Sequence, residues 1–268
     1  MSALGLLPRE RLLEVYEAKG AQMASVSPEA LALPVPTVAG WTVEDVIRHT
    51  GKVHRRVLAY LAAPIDADPG EVARSVADLS PGPACLPEYR DAHAALGRRL
   101  AALDVDAPVA TFTGPQPGGF WARRQAHELA VHLVDVDDAL RESHGGDSAS
   151  FEEDVAVDGV EEWLDVFLPL WQRRAGRLPE DLDARSIHLH GTDPSTPGPD
   201  GSDLAAEWLI SVSDGAAVVS KGHAKGDVAV RGSAPDLLLV LWRRRPLTAV
   251  DLVGDTAVFD RLVDLIRI

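Results

Sequence analysis

Up to about residue 180 the apolar positions recur at three- and four-residue spacing, the signature of amphipathic helices. Residues 8–31 read as a first helix, followed by the Pro/Val stretch LALPVPTVAG. Trp41-Thr42-Val43-Glu44-Asp45 opens a second helix that runs to about Leu61, with Thr42 as N-cap and Asp45 placed to complement the helix N-terminus. A third covers 86–104. The loop Gly114-Pro115-Gln116-Pro117-Gly118-Gly119 precedes a fourth over 120–143. A fifth spans 151–173, with Ser150 as its cap. Beyond residue 180 the period shortens. RSIHLHGT, EWLISVS, GAAVVSK and GDVAVRG are β-type runs, joined by two helix-like segments, APDLLLVLWRRR and DTAVFDRLVDLIRI. Asp193–Asp203, with its repeated Pro and Gly, reads as a long loop. The expected architecture is α+β: a helical bundle over 1–180 joined to a small α+β domain over 181–268.

Composition narrows the function classes. A net charge of −15 lacks the basic footprint needed to bind nucleic acid or anionic lipid non-specifically. A single cysteine, Cys85, rules out a disulfide framework and a Cys-rich zinc module. No apolar run approaches the roughly 20 residues of a membrane span. Arg9, Glu10 and Arg11 stand where a signal peptide would be apolar, so the expected location is the cytoplasm.

The segment WARRQAHELAVHLVDVDDAL carries the most chemistry. Glu128 and His132 stand four apart and share a helix face, offering the donors that borderline divalent metals prefer. Asp135 lies on the same face, three residues beyond His132, and could accept its second ring N–H. Alone, this spacing also describes a solvated i, i+4 Glu–His pair, and E-x-x-x-H is a weak metal signature. His49 falls mid-helix among Val46, Ile47 and Val53, which suits either a core histidine or a ligand from a facing helix. His54 is five residues on, about 140° round the helix, and can hardly share an ion with His49. His127 points away from the Glu128–His132 face. His188 and His190 share a strand face with no third ligand evident nearby, and read as surface histidines. Cys85 lies in a Pro/Gly segment without a neighbouring base; the helix beginning near Pro87 gives it a faint claim to reactivity, and a bound cofactor is the stronger source for any thiol chemistry.

Together the segments resemble the mycothiol-dependent maleylpyruvate isomerase family. The pattern Trp-(Thr/Ser)-Val with a His eight residues after the Trp matches Trp41, Thr42, Val43 and His49. An Arg-rich helix with Glu-x-x-x-His followed by Asp matches Arg123, Arg124, Glu128, His132 and Asp135. The run 222–246 resembles the family's small C-terminal domain. The resemblance implies a DinB-like four-helix bundle, with an extra helix here, and a sterol-carrier-like α+β domain. It implies metal ligands at His49, Glu128 and His132, usually for zinc, with the thiol of mycothiol at the open position. It further implies isomerase or thiol-transferase chemistry on a small electrophilic, anionic substrate, by a monomer or homodimer. A substrate carboxylate would meet Arg244, in Trp242-Arg243-Arg244-Arg245, where an Arg replaces the family's glycine. That basic run could equally complement the dipole of the preceding helix. A non-enzymatic binding or regulatory protein on the same fold, or a metal-dependent hydrolase, are the alternatives.

Overall fold

The structure is a computed structural model that describes residues 6–145, 151–193, 196–197, 203–204 and 206–266. It divides into two compact units, Met1–Ser150 and Phe151–Ile268.

The first unit is built on four long helices: α1 (Arg9–Ala24), α2 (Val43–Ala62), α4 (Cys85–Ala101) and α5 (Gly119–His144), with the short α3 (Pro69–Arg74) between α2 and α4. The two-residue strands β1 (Pro108–Val109) and β2 (Gln116–Pro117) pair just before α5. Helix α1 packs on α4 and α5, and α2 packs on α4 and α5. The expected first helix is shorter than its periodicity suggested. It stops at Ala24, and Pro28, which cannot continue a helical ladder, opens a separate 3₁₀ turn over Pro28–Ala32. The start of α2 falls where the sequence put it. Thr42 Oγ1 accepts from the Asp45 backbone N–H while Asp45 accepts from Thr42, a reciprocal capping box.

Close approach of α1 and α4 depends on Gly20. A Cβ at this position would lie 2.0 Å from Cε1 of His93. The His93 ring cannot retreat easily, because it packs against Tyr16 at 4.5 Å and Tyr89 at 6.0 Å. Alanine would gain about 1 kcal/mol in helix propensity, whereas overpacking costs about 1–3 kcal/mol. Gly20→Ala is therefore expected to destabilise the bundle by up to about 2 kcal/mol in denaturant unfolding. A stabilised variant would show that the ring has room.

The second unit begins with α6 (Glu153–Glu162), one π turn (Trp163–Phe167) and α7 (Leu168–Ala175) in continuous succession. Pro169 has no N–H to donate within the ladder, and the Leu168 N–H reaches back to the Trp163 carbonyl instead. The sheet strands are β3 (Ser186–Gly191), β6 (Glu207–Ser213), β7 (Ala216–Lys221), β8 (Val228–Gly232) and β9 (Asp251–Gly254), in spatial order β7-β6-β3-β8-β9. Two further residue pairs, β4 (Thr196–Pro197) and β5 (Asp203–Leu204), pair with each other. Within the main sheet only β3 and β8 run parallel. Helices α8 (Ala234–Leu241) and α9 (Thr256–Leu265) pack on β3 and β8, and α6 packs on α8. Ile187, Leu189, Trp208, Ile210, Val228 and Val230 are buried there, one face of the alternating strands.

The chain divides at residues 150 and 151, about thirty residues before the change in periodicity. The fifth amphipathic stretch, α6 to α7, belongs with the sheet rather than the bundle. The Asp193–Asp203 loop lies largely outside the described residues, as does Ser150. Among the described residues no helix is long and apolar enough to cross a membrane.

Candidate functional site

Helices α2 and α5 bring His49, Glu128 and His132 together, with one donor atom from each lying within 4.8 Å of the others. The i, i+4 spacing places Glu128 and His132 one turn apart on the same face of α5, and α2 supplies His49 from across the bundle. His49 Nε2 is 3.1 Å from Glu128 Oε1, and His132 Nε2 is 3.4 Å from the same oxygen. Ligand bonds of about 2.1 Å in a tetrahedral site leave donors about 3.4 Å apart, so the set has the spacing and the chemistry to hold a borderline divalent metal ion.

The surroundings fix these groups. His132 Nδ1 is 2.9 Å from Asp135 Oδ2, and Asp135 is completely buried. With Nδ1 engaged by the carboxylate, Nε2 is the ring nitrogen turned toward Glu128 and His49. Thr37 donates its hydroxyl to the other Asp135 oxygen at 2.9 Å. The Arg124 guanidinium donates to Glu128 Oε2 at 2.9 Å, leaving Oε1 toward the two histidines. Trp41 lies over the cluster: its ring is parallel to His132 within 10° at 6.5 Å and tilted against His49 at 5.4 Å.

Electrostatics follow from these contacts. Burial alone would raise the Glu128 carboxyl, yet His132, His49 and Arg124 hold it well below its usual range. Burial would likewise lower the His132 imidazole, but Asp135 and Glu128 outweigh it and hold it above its ordinary value.

The other expectations divide. His54 is fully buried among the rings of Tyr16, Tyr89 and His93, and neither of its ring nitrogens has a hydrogen-bond partner among the described residues. Cys85 begins α4 and is buried, and burial pushes its thiol up, away from the reactive thiolate. Arg244 closes the end of α8. Its backbone N–H bonds the Leu239 carbonyl at 2.7 Å, and Arg243 N–H bonds Val240 at 2.9 Å. Arg243 takes the left-handed φ of 60° that a helix-terminating motif of this kind normally gives to glycine. The Arg244 guanidinium donates to the Trp242 carbonyl at 2.9 Å. Helix termination thus accounts for the backbone of the basic run. Sequence reasoning missed Thr37, since nothing in a Pro/Val loop points to a residue 98 positions away. It also read His188 and His190 as lacking a third ligand, whereas Glu207 and His223 stand beside them.

A helical bundle with a His/Glu/His cluster on facing helices, followed by a small α+β unit, defines a two-part class of protein. Residues 12–137 match the mycothiol maleylpyruvate isomerase N-terminal domain, and residues 154–261 match the MDMPI C-terminal domain. The chain belongs to the mycothiol maleylpyruvate isomerase family. Its fold is similar to that in the crystal structure of the mycothiol-dependent maleylpyruvate isomerase, with a TM-score of 0.57 and 14% identity over 92% of this chain and 93% of that one. A histidine-to-alanine mutant of that enzyme gives the same values. No curated protein sequence matches the chain.

Proposed function

We propose that this chain is a metal-dependent enzyme that uses mycothiol, acting as an isomerase or thiol transferase on a small electrophilic, anionic substrate. The observation that carries the reading is the convergence of His49, Glu128 and His132 from two helices at ligand spacing. These three residues would hold the ion, zinc in the first instance, and leave one tetrahedral position free of protein, the arrangement of catalytic rather than structural sites. The ion supplies a positive charge that lowers the pKa of a coordinated thiol, so that the nucleophilic thiolate exists at neutral pH.

The chain's own residues do the positioning. Asp135 holds His132 in the tautomer whose Nε2 is free to ligate, and Thr37 holds Asp135. Arg124 turns Glu128 so that a single oxygen faces the histidines. The Trp41 ring covers one side of both imidazoles and limits the approach of water there. Arg244 is the residue assigned to a substrate carboxylate, because a guanidinium fork matches that geometry. Cys85, buried with its thiol pushed up, leaves the nucleophilic sulfur to the added cofactor.

Calorimetric titration of the metal-loaded protein with mycothiol tests the reading: saturable binding is expected, and its absence would defeat it. Asp135→Asn keeps the side chain's shape but removes the charge that steadies His132. Its metal affinity should fall roughly 10–100-fold, the usual cost of losing such a support. Unchanged affinity in competition with a chelator would show that Asp135 does not serve the site.

A further inference from the structure

The second unit carries its own cluster of metal-ligating side chains, built on different elements from those of the bundle site. His188 and His190 alternate along β3 and so project from the same face of the sheet. In the antiparallel register His190 lies opposite Glu207 on β6. His223 joins them from the connection that follows β7. There Gly222, at φ +110°, turns the chain, and its N–H bonds the Glu207 carbonyl at 3.0 Å. The donor atoms of all four side chains lie within 4.8 Å of one another.

The distances converge on one carboxylate. His190 Nδ1 is 2.7 Å from Glu207 Oε1, His223 Nδ1 is 3.0 Å from Oε2, and His188 Nε2 is 3.5 Å from Oε2. All three are within ion-pair distance, but the third is long and leaves a buried ring nitrogen without a hydrogen bond among the described residues. The His188 side chain is only 6% exposed, and its buried Nε2 makes no hydrogen bond among the described residues, with Glu207 Oε2 standing off at 3.5 Å. Leaving a buried polar atom unsatisfied is costly. The atom is directed into a group of three other donors, where a cation would accept its lone pair.

We infer that His188, His190, Glu207 and His223 form a second metal site, for a borderline divalent transition ion such as zinc. Imidazole and carboxylate donors suit such ions and discriminate against calcium and magnesium, which take oxygen ligands. Four protein ligands complete a tetrahedron, which makes the site of the structural kind. The ion would fasten β3, β6 and the turn after β7 to one another. It differs in kind from the three-ligand cluster of the bundle, and the inference does not depend on the activity proposed above.

The test uses the full chain with the bundle ligands removed, His49→Ala/His132→Ala, stripped with a chelator and titrated with zinc alone in competition with a colorimetric chelator. One equivalent should bind, and cobalt(II) in its place should give the strong visible bands of a tetrahedral site. Zinc should also raise the unfolding temperature of this variant. Adding His223→Ala, at a side chain 81% exposed and therefore safe for folding, should weaken zinc binding by more than the roughly 10–100-fold typical of an outer support. It should also abolish the thermal shift. Glu207→Gln should act in the same direction. Should the bundle variant fail to fold, wild type and His223→Ala are compared directly, with two equivalents expected against one. Failure of the bundle-disabled chain to bind zinc, or binding indifferent to both His223→Ala and Glu207→Gln, would overturn the site. Loss of mycothiol binding with this equivalent intact would count only against the bundle reading.

Discussion

Alanine at position 132 is expected to remove the bundle's metal and to lower mycothiol-dependent turnover by more than about 100-fold. The floor comes from the cost of losing a mere support to a ligand, which is roughly 10–100-fold; losing the ligand itself must exceed it. With His132 gone, His49 and Glu128 remain, two donors of which one comes from each helix. Two ligands neither fix a geometry nor offset the cost of dehydrating an ion. The change also removes the imidazole that donates to the buried Asp135. Some loss of stability should therefore accompany the loss of function, since breaking a buried charged pair leaves the remaining charge poorly compensated. Elemental analysis of the purified variant separates the two effects. Metal content should fall by one equivalent while the sheet cluster keeps its own. Full retention of metal and turnover would remove His132, and with it the bundle centre, from the mechanism.

Trp121→Ala is expected to cost about 3–5 kcal/mol, the largest stability effect among bundle substitutions, because a full indole cavity cannot collapse. Trp121 sits at the start of the helix that carries Glu128 and His132, and it is almost wholly buried. Its ring contacts Tyr60, Phe112 and Phe120 at centroid distances of 5.4, 5.9 and 5.3 Å, and its indole N–H donates to the Ala110 carbonyl at 3.1 Å. The residue thus ties the β1–β2 connection and α2 to the beginning of α5. Trp121→Phe should recover much of the packing but leave the Ala110 carbonyl without this donor, a penalty of about 1–3 kcal/mol. Because the chain has two units, unfolding should be followed with a probe in the bundle rather than read as one transition. A loss below about 1 kcal/mol for the alanine variant would mean that α5 is positioned by other contacts.

Much of the bundle could be read from period and punctuation. The Thr42–Asp45 cap, the α4 and α5 stretches and the strands around His188 and Trp208 all carry strong local signals. The division of the chain does not. α6 buries Val155, Ala156, Val157 and Val160, but also Asp158, Glu161 and Glu162. Such a pattern says that a helix is enclosed without saying what encloses it, so periodicity groups the helix with the bundle although it packs on α8. The candidate ligands divide along the same line. Glu128 and His132 are neighbours by helical geometry and visible as such. His49 lies 79 residues from Glu128, and its position mid-helix suits a core histidine as well as a ligand, so resemblance to a family was needed to choose between them. In the second unit no resemblance helped. His188 and Glu207 lie on adjacent strands whose register no local rule specifies, and His223 joins them through a turn, so local signals make His188 and His190 surface residues although Glu207 and His223 stand beside them.

The burial of Cys85 at the head of α4 has a practical side. The native chain has no exposed sulfhydryl to compete for alkylating or disulfide-forming reagents, because its one cysteine is enclosed and disfavours the thiolate. A cysteine introduced at a chosen surface position would be the sole reactive handle. A fluorophore or spin label could then be attached at one known place on either unit without first engineering the native residue away.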